Sequence, residues 1–163
     1  MEIIFKEYKE TDFKDLALCM ERLQDYVVVI DPLKRLHRLK NKGEFYTNNL
    51  IKKINKGNGR IILAYDKKKI IGCIAGIIEK HTKDDLLECI PSKIGRILEL
   101  FVSGDYRGHD IGKKLMTKME DYFKEKKCDT LRVEVFVPNQ GAHSFYKKLG
   151  YHDRMVDMIK PIK

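Results

Sequence analysis

No stretch of this chain is apolar for long enough to cross a bilayer, and no basic-then-apolar segment opens it, so neither a membrane protein nor a secreted one is expected. The four cysteines, Cys19, Cys73, Cys89 and Cys128, stand far apart without a Cys-x-x-Cys pair, which argues against a disulfide scaffold and for a reduced, cytoplasmic setting. His37, His81, His109, His143 and His152 lack metal-ligand spacing, and no metal is expected. Gly-x-Gly-x-x-Gly occurs nowhere, which removes a Rossmann dinucleotide site. The nearest approach to a P-loop, Gly108-His-Asp-Ile-Gly112-Lys113-Lys114, has one residue too few between its glycines and a lysine where the Mg²⁺-binding hydroxyl belongs. Linkers, repeats and low-complexity tracts are missing as well, so the 163 residues are expected to form one domain, 1–163.

What is present is charge. A 43% hydrophobic fraction is ordinary for a globular chain, while 35% charged residues and a net charge of +9 make the surface basic. A phosphate-rich cofactor, a nucleic acid and an anionic membrane would each satisfy that sign, and the sign alone does not choose among them.

The most informative stretch runs from Ile97 to Lys113. Residues 97–102 are apolar and β-compatible, Ser103-Gly104-Asp105 is turn chemistry, and Ile111, Leu115 and Met119 recur at helical spacing. A strand therefore feeds a helix through a turn carrying Arg107, Gly108 and Gly112. Glycine lets backbone amides approach a ligand closely and the helix start adds partial positive charge, which suits a pyrophosphate.

Around this centre the chain alternates strands and helices. A first strand is expected over Met1 to Tyr8, then a helix capped by Thr11 with Phe13, Leu16, Met20 and Leu23 on one face. Asp31-Pro32 breaks it. Leu33, Leu36 and Leu39, then Tyr46, Leu50, Ile51 and Ile54, suggest two short helical pieces around Gly43, ended by Gly57-Asn58-Gly59. Strands over Arg60 to Tyr65 and Ile70 to Ile78 form an antiparallel hairpin buried on both faces. A charged loop from His81 to Ser92 leads into the 97–102 strand, a helix follows from Ile111 to Lys127, and Thr130 to Val137 alternates as a strand. A short helix capped by Gly150 and a last strand near Met155 to Ile159 close the chain. The class is α/β (α+β) with one mixed sheet.

Two motifs carry a family resemblance. Arg107-Gly108-His109-Asp110-Ile111-Gly112 resembles motif A of the GCN5-related N-acetyltransferase (GNAT) superfamily, with Asp110 where the family has its first motif glycine. Asn139, Ala142, Phe145, Tyr146, Gly150 and Tyr151 match motif B, one helix and one strand downstream as the family order requires. The resemblance implies a mixed, largely antiparallel sheet of six to seven strands, splayed between the fourth and fifth and flanked by about four helices. It also implies an acyltransferase that moves acetyl from acetyl-CoA to a primary amine, on a small molecule, polyamine or protein, by direct attack in a ternary complex. The N-terminal helices would set acceptor specificity.

By the same resemblance, backbone groups of Phe101 and Val102 would pair with the pantetheine arm of coenzyme A. The Arg107, Gly108, His109, Asp110, Ile111, Gly112 and Lys113 amides would hold the pyrophosphate, with Lys113 and Lys114 adding charge or only solvating the surface. Asn139 would bond the pantetheine or cap its helix. Tyr146 matches the general acid that protonates the leaving thiolate. Glu99 resembles the strand-four acid of polyamine-type members: a carboxylate within an apolar strand, expected to act as base or amine binder, against a structural ion pair. Glu134 is the second candidate. The expected partners are acetyl-CoA and an amine acceptor, with no membrane and no nucleic acid, and a homodimer left open. The competing reading is a non-catalytic acyl-CoA-binding or nucleic-acid-binding protein on the same fold, although no recognition helix or aromatic-basic platform supports it.

Overall fold

The computed structural model describes residues 2–38 and 41–162. Five strands, β1 (Ile3–Glu7), β2 (Arg60–Asp66), β3 (Lys69–Glu79), β4 (Ile94–Val102) and β5 (Thr130–Val133), form one sheet in sequence order. Neighbours are antiparallel from β1 to β4, while β5 lies parallel to β4. A parallel partner requires a crossover, which α4 (Ile111–Glu125) supplies. The described strands number five rather than six or seven. Residues 151–162 have no regular structure, and Met155, Val156, Met158 and Ile159 of the expected last strand are exposed. An apolar run without strict alternation needs cover on both faces, and no strand or helix supplies it there.

Alternation along β2 divides the core into two layers. Ile61 and Leu63 face α1 (Phe13–Ile30) and α2 (Lys42–Lys56), where they meet Leu16, Met20, Leu50 and Ile54. Ile62 and Ala64 face α4 and α5 (Gln140–Lys148), meeting Leu115, Met119, Phe123 and Tyr146. Each fully buried Leu, Met or Phe contributes about 1.5–3 kcal/mol of transfer free energy. Phe123 is seated on the sheet by two glycines. A Cβ at Gly95 would stand 2.5 Å from its ring and one at Gly76 2.8 Å.

Several local expectations change. Thr11 sits inside a short 3₁₀ turn, Glu10–Asp12, and the Asp12 carboxylate takes the Lys9 amide at 2.8 Å. Of the two helical pieces expected around Gly43, the second alone is a helix among the described residues, α2, with Gly43 in its first turn where α1 and α2 touch: a Cβ there would lie 2.6 Å from the Ala17 carbonyl oxygen. A glycine that looks like a breaker is a contact point. Leu33 and Leu36 lie in irregular chain folded about Asp31, whose carboxylate accepts the amides of Leu33, Arg35 and Leu36; Leu39 lies outside the described residues. The loop into β2 turns left-handed at Asn58 (φ 44°) rather than at a flanking glycine. The charged loop contains one helical turn, α3 (Asp85–Glu88).

The feature that positions the site is a β-bulge. Along β4, Ile97 pairs with Gly76 and Glu99 with Ala75, so Leu98 has no partner on β3. A bulge bends and twists its strand, and pairing with β5 stops at the same level, the last pair being Ile97 with Val133. Residues 134–137, expected to continue the strand, leave the ladder because β4 has turned away. Between residues 98–102 and 134–137 the sheet is split.

Candidate active site

Glu99 lies on the α2 side of that split. The hydroxyl of Tyr46, from α2, donates to its carboxylate. Burial raises the Glu99 pKa above the usual carboxylate range, opposed by the Tyr46 hydrogen bond and the charge of Lys53. Burial, then the charge of Glu99, pushes the Tyr46 phenol up. Tyr46, Asn49, Leu50 and Lys53 recur along one face of α2, and with Arg96, Ile97, Leu98, Glu99 and Glu134 they line a cleft of about 180 Å³. The chemistry available is a hydrogen-bonded carboxylate in a small, partly desolvated space.

Glu134 reaches the same cleft but is engaged elsewhere. Its Oε1 lies 2.6 Å from Arg96 and 3.2 Å from Arg132, and both arginines also reach Glu79, at 2.9 and 3.4 Å. The four side chains close a ring across β3, β4, β5 and the departing strand. With its oxygen shared by two guanidiniums and its side chain 63% exposed, Glu134 is placed as an ion-pair partner rather than a free base.

Tyr146 approaches from the opposite layer. Its ring packs edge-on against Phe145 and Tyr151, with centroids 5.3 and 5.6 Å away. Burial raises its pKa, with lesser contributions from Tyr151 and from the charge of Glu99, so the phenol stays protonated. Its hydroxyl bonds to none of the described residues and is not sealed from solvent, unlike that of Tyr151, which is fully enclosed without a partner. The phenol is therefore a protonated donor close enough to Glu99 to feel its charge. Phe145 packs beside Gly112, where a Cβ would stand 3.5 Å from its ring.

At the far end of β4 the chain forms an anion cradle. The Ser103 amide donates to Ile71 at 2.8 Å, so by alternation Phe101 turns its backbone groups toward β3 and Val102 turns its own toward the split. Phe101 is thus committed to the sheet, which corrects its expected pairing with a ligand; Val102 and Leu100 are the residues whose backbone faces outward. The Val102 carbonyl accepts from Arg107 Nε at 3.1 Å, and the same guanidinium lies 5.6 Å from the Tyr26 ring centroid. Beyond it, none of the amides of Gly108, His109, Asp110, Ile111, Gly112 and Lys113 donates to an acceptor among the described residues, and the first bond of α4 is Lys114 to the Asp110 carbonyl. Gly108 (φ 80°) and Asp110 (φ 58°) are left-handed, the alternation that turns successive amides to one side. Such a nest at a helix N-terminus fits a phosphate or pyrophosphate. Asp110 makes no cap and pairs with none of the described cations; it is exposed at the helix entrance. His109 turns its Nδ1 onto the Arg107 carbonyl at 3.0 Å, and Lys113 and Lys114 are exposed. Asn139 caps α5, accepting the Ala142 amide at 3.2 Å, which leaves its side-chain NH₂ for another partner.

Tyr46, Asn49 and Lys53 had no signal in the sequence, where Tyr46 reads as one more apolar residue of a helix. Among the described residues no group of three or more His, Cys, Asp or Glu stands together as a metal site, and no helix is long and apolar enough to cross a membrane.

The model of the acetyltransferase (GNAT) family matches residues 23–151. An uncharacterized N-acetyltransferase of Methanocaldococcus jannaschii is 38% identical over 64 residues, which cover 39% of this chain and 28% of that protein. N-alpha-acetyltransferase 30 of Saccharomyces cerevisiae is 33% identical over 81 residues, covering 50% of this chain and 42% of the yeast protein. The matched stretch spans less than half of either relative. A crystal structure of a Bacillus halodurans protein shares the fold with a TM-score of 0.85 across 98% of this chain and 99% of that one, at 18% identity.

Proposed function

The chain belongs to the GNAT acetyltransferase family, and on that footing we propose that it transfers the acetyl group of acetyl-CoA to a primary amine in a ternary complex. The observation that carries the reading is the run of acceptor-free amides from Gly108 to Lys113, placed at the mouth of a split whose walls hold Glu99 and Tyr146. The residues present fit the donor. The nest and the α4 N-terminus take its pyrophosphate, and the outward backbone of Leu100 and Val102 offers a strand edge to an amide-bearing arm once Arg107 releases the Val102 carbonyl. Bound there, the donor supplies an activated acetyl thioester.

The protein's own groups then handle protons. An alkylamine with a pKa of about 10 is neutral in only about one molecule per thousand at neutral pH, so the acceptor needs a proton taken from it. Glu99, fixed by Tyr46, is the group that takes it, directly or through water. Tyr146, kept protonated by burial, delivers a hydrogen to the sulfur that leaves. The Glu79–Arg96–Glu134–Arg132 ring holds the departing strand in place beside them.

A thiol-release screen with acetyl-CoA over small amines, polyamines, amino acids, aminoglycosides and peptide N-termini tests the reading. Turnover with at least one amine class is expected. Absence of turnover with every class, together with tight RNA binding, overturns it.

A further inference from the structure

We infer that the acceptor is a small amine that also carries a carboxylate, and that Lys53 receives that carboxylate while Glu99 receives the amine. The inference rests on the acetyltransferase reading and concerns which amine enters the cleft.

The charges that line the cleft are Lys53, Arg96, Glu99 and Glu134. Arg96 and Glu134 are spent on each other and on Glu79 and Arg132, a ring of two cations and two anions with no net charge to offer. What remains is one carboxylate and one ammonium. Glu99 is half-buried and already holds the Tyr46 hydrogen bond, while Lys53 is exposed and pairs with none of the described carboxylates. The two sense each other, since the Lys53 charge lowers the Glu99 pKa against its burial. Lys53 lies seven residues after Tyr46 on the same face of α2, about 10 Å along the axis at 1.5 Å per residue. Helical side chains lean toward the N-terminus, so the ammonium leans back toward Tyr46 and Glu99.

A polyamine suits this cleft poorly: with one ammonium at Glu99, its next would meet Lys53. A zwitterion places opposite charges at both ends. The cleft is small, about 180 Å³, a scale that suits a short amino acid.

The test compares glycine, β-alanine and γ-aminobutyrate with their respective amides as acceptors, using acetyl-CoA and the full chain. Wild type is expected to favour at least one acid over its amide by tenfold or more in kcat/KM. Lys53→Arg should keep the preference, Lys53→Gln should bring it near parity, and Lys53→Glu should reverse it toward the amide. Because Lys53 is exposed, these variants are expected to fold, which circular dichroism checks. Loss of the Lys53 charge should also move the acid limb of the pH–rate profile upward, since that charge lowers the Glu99 pKa. Equal use of acid and amide by wild type, or a preference that survives Lys53→Gln, overturns the inference, as does coenzyme A binding without turnover of any of these six probes. A protein that binds no coenzyme A in calorimetry overturns the parent reading and this one with it.

Discussion

The hydroxyl of Tyr46 rests on the carboxylate of Glu99, a contact between residues 53 positions apart that ties the second helix to the fourth strand at the edge of the split. It holds a desolvated carboxyl in one orientation. Burial still outweighs the hydrogen bond and Lys53, so this carboxyl ionises above its ordinary range.

The Glu99→Gln variant should therefore lose rate most strongly at pH values where Glu99 is ionised and the amine is still protonated, with the defect shrinking as the amine begins to deprotonate unaided. A pH–rate profile that superimposes on wild type removes Glu99 from proton transfer. The same substitution has a signed effect on stability. A raised folded pKa means that the Glu99 contribution is complete below the unfolded carboxylate value and is lost as pH rises through the folded one. Relative to wild type, Glu99→Gln should gain thermal stability as pH rises above the unfolded carboxylate value of about 4.3, read as a difference in Tm that widens with pH.

Tyr146→Phe should lower kcat by roughly ten- to a thousandfold with coenzyme A affinity nearly unchanged, because only the leaving-group hydrogen is removed and the ring contacts with Phe145 and Tyr151 persist. Single-turnover kinetics provide the check. Wild-type chemistry in the variant would make Tyr146 a packing residue.

Asp110→Gly should tighten coenzyme A binding by roughly a few tenths to 1 kcal/mol, the size of a screened surface charge. Two observations support the direction. The carboxylate makes no cap and no described ion pair, and its backbone is left-handed (φ 58°), a conformation that glycine adopts without cost. Calorimetric titration at low and high salt should show the gain shrinking with salt. Weaker binding by the glycine variant would mean that Asp110 organises the nest.

Gly95→Ala should destabilise the protein by about 1–3 kcal/mol, the usual cost of overpacking, since the new methyl would meet the Phe123 ring at 2.5 Å. Denaturant unfolding measures it. An unchanged midpoint would show that Phe123 can move aside freely.

The sequence discloses those parts of the site whose chemistry is local. Gly108 and Gly112 mark a turn before a helix whatever the rest of the chain does, and the 3.6-residue rhythm of Ile111, Leu115 and Met119 survives into the packed α4. Asn139 announces a cap and becomes one. What stays hidden depends on partners far along the chain. Tyr46 has the same apolar rhythm as Leu50, and only the approach of β4 separates a cleft residue from a core residue. Gly43 looks like punctuation until α1 lies against it. β5 is shorter than its pattern suggests: Val135 and Val137 alternate correctly, yet their ladder partner has turned away.

That turning away has a further effect on β4 itself. Gly95 and Ile97 face α4, and an unbroken strand would send Glu99 the same way, into the layer of Phe123 and Met119. With Leu98 as a supernumerary residue, the parity of the strand inverts: Leu98 and Glu99 emerge side by side toward α2, Phe101 follows them, and Leu100 and Val102 take over the α4 side. One unmatched position thus exchanges inside and outside for everything downstream, so that an acid which strict alternation would bury in hydrocarbon lines a cleft where water and a ligand can meet it.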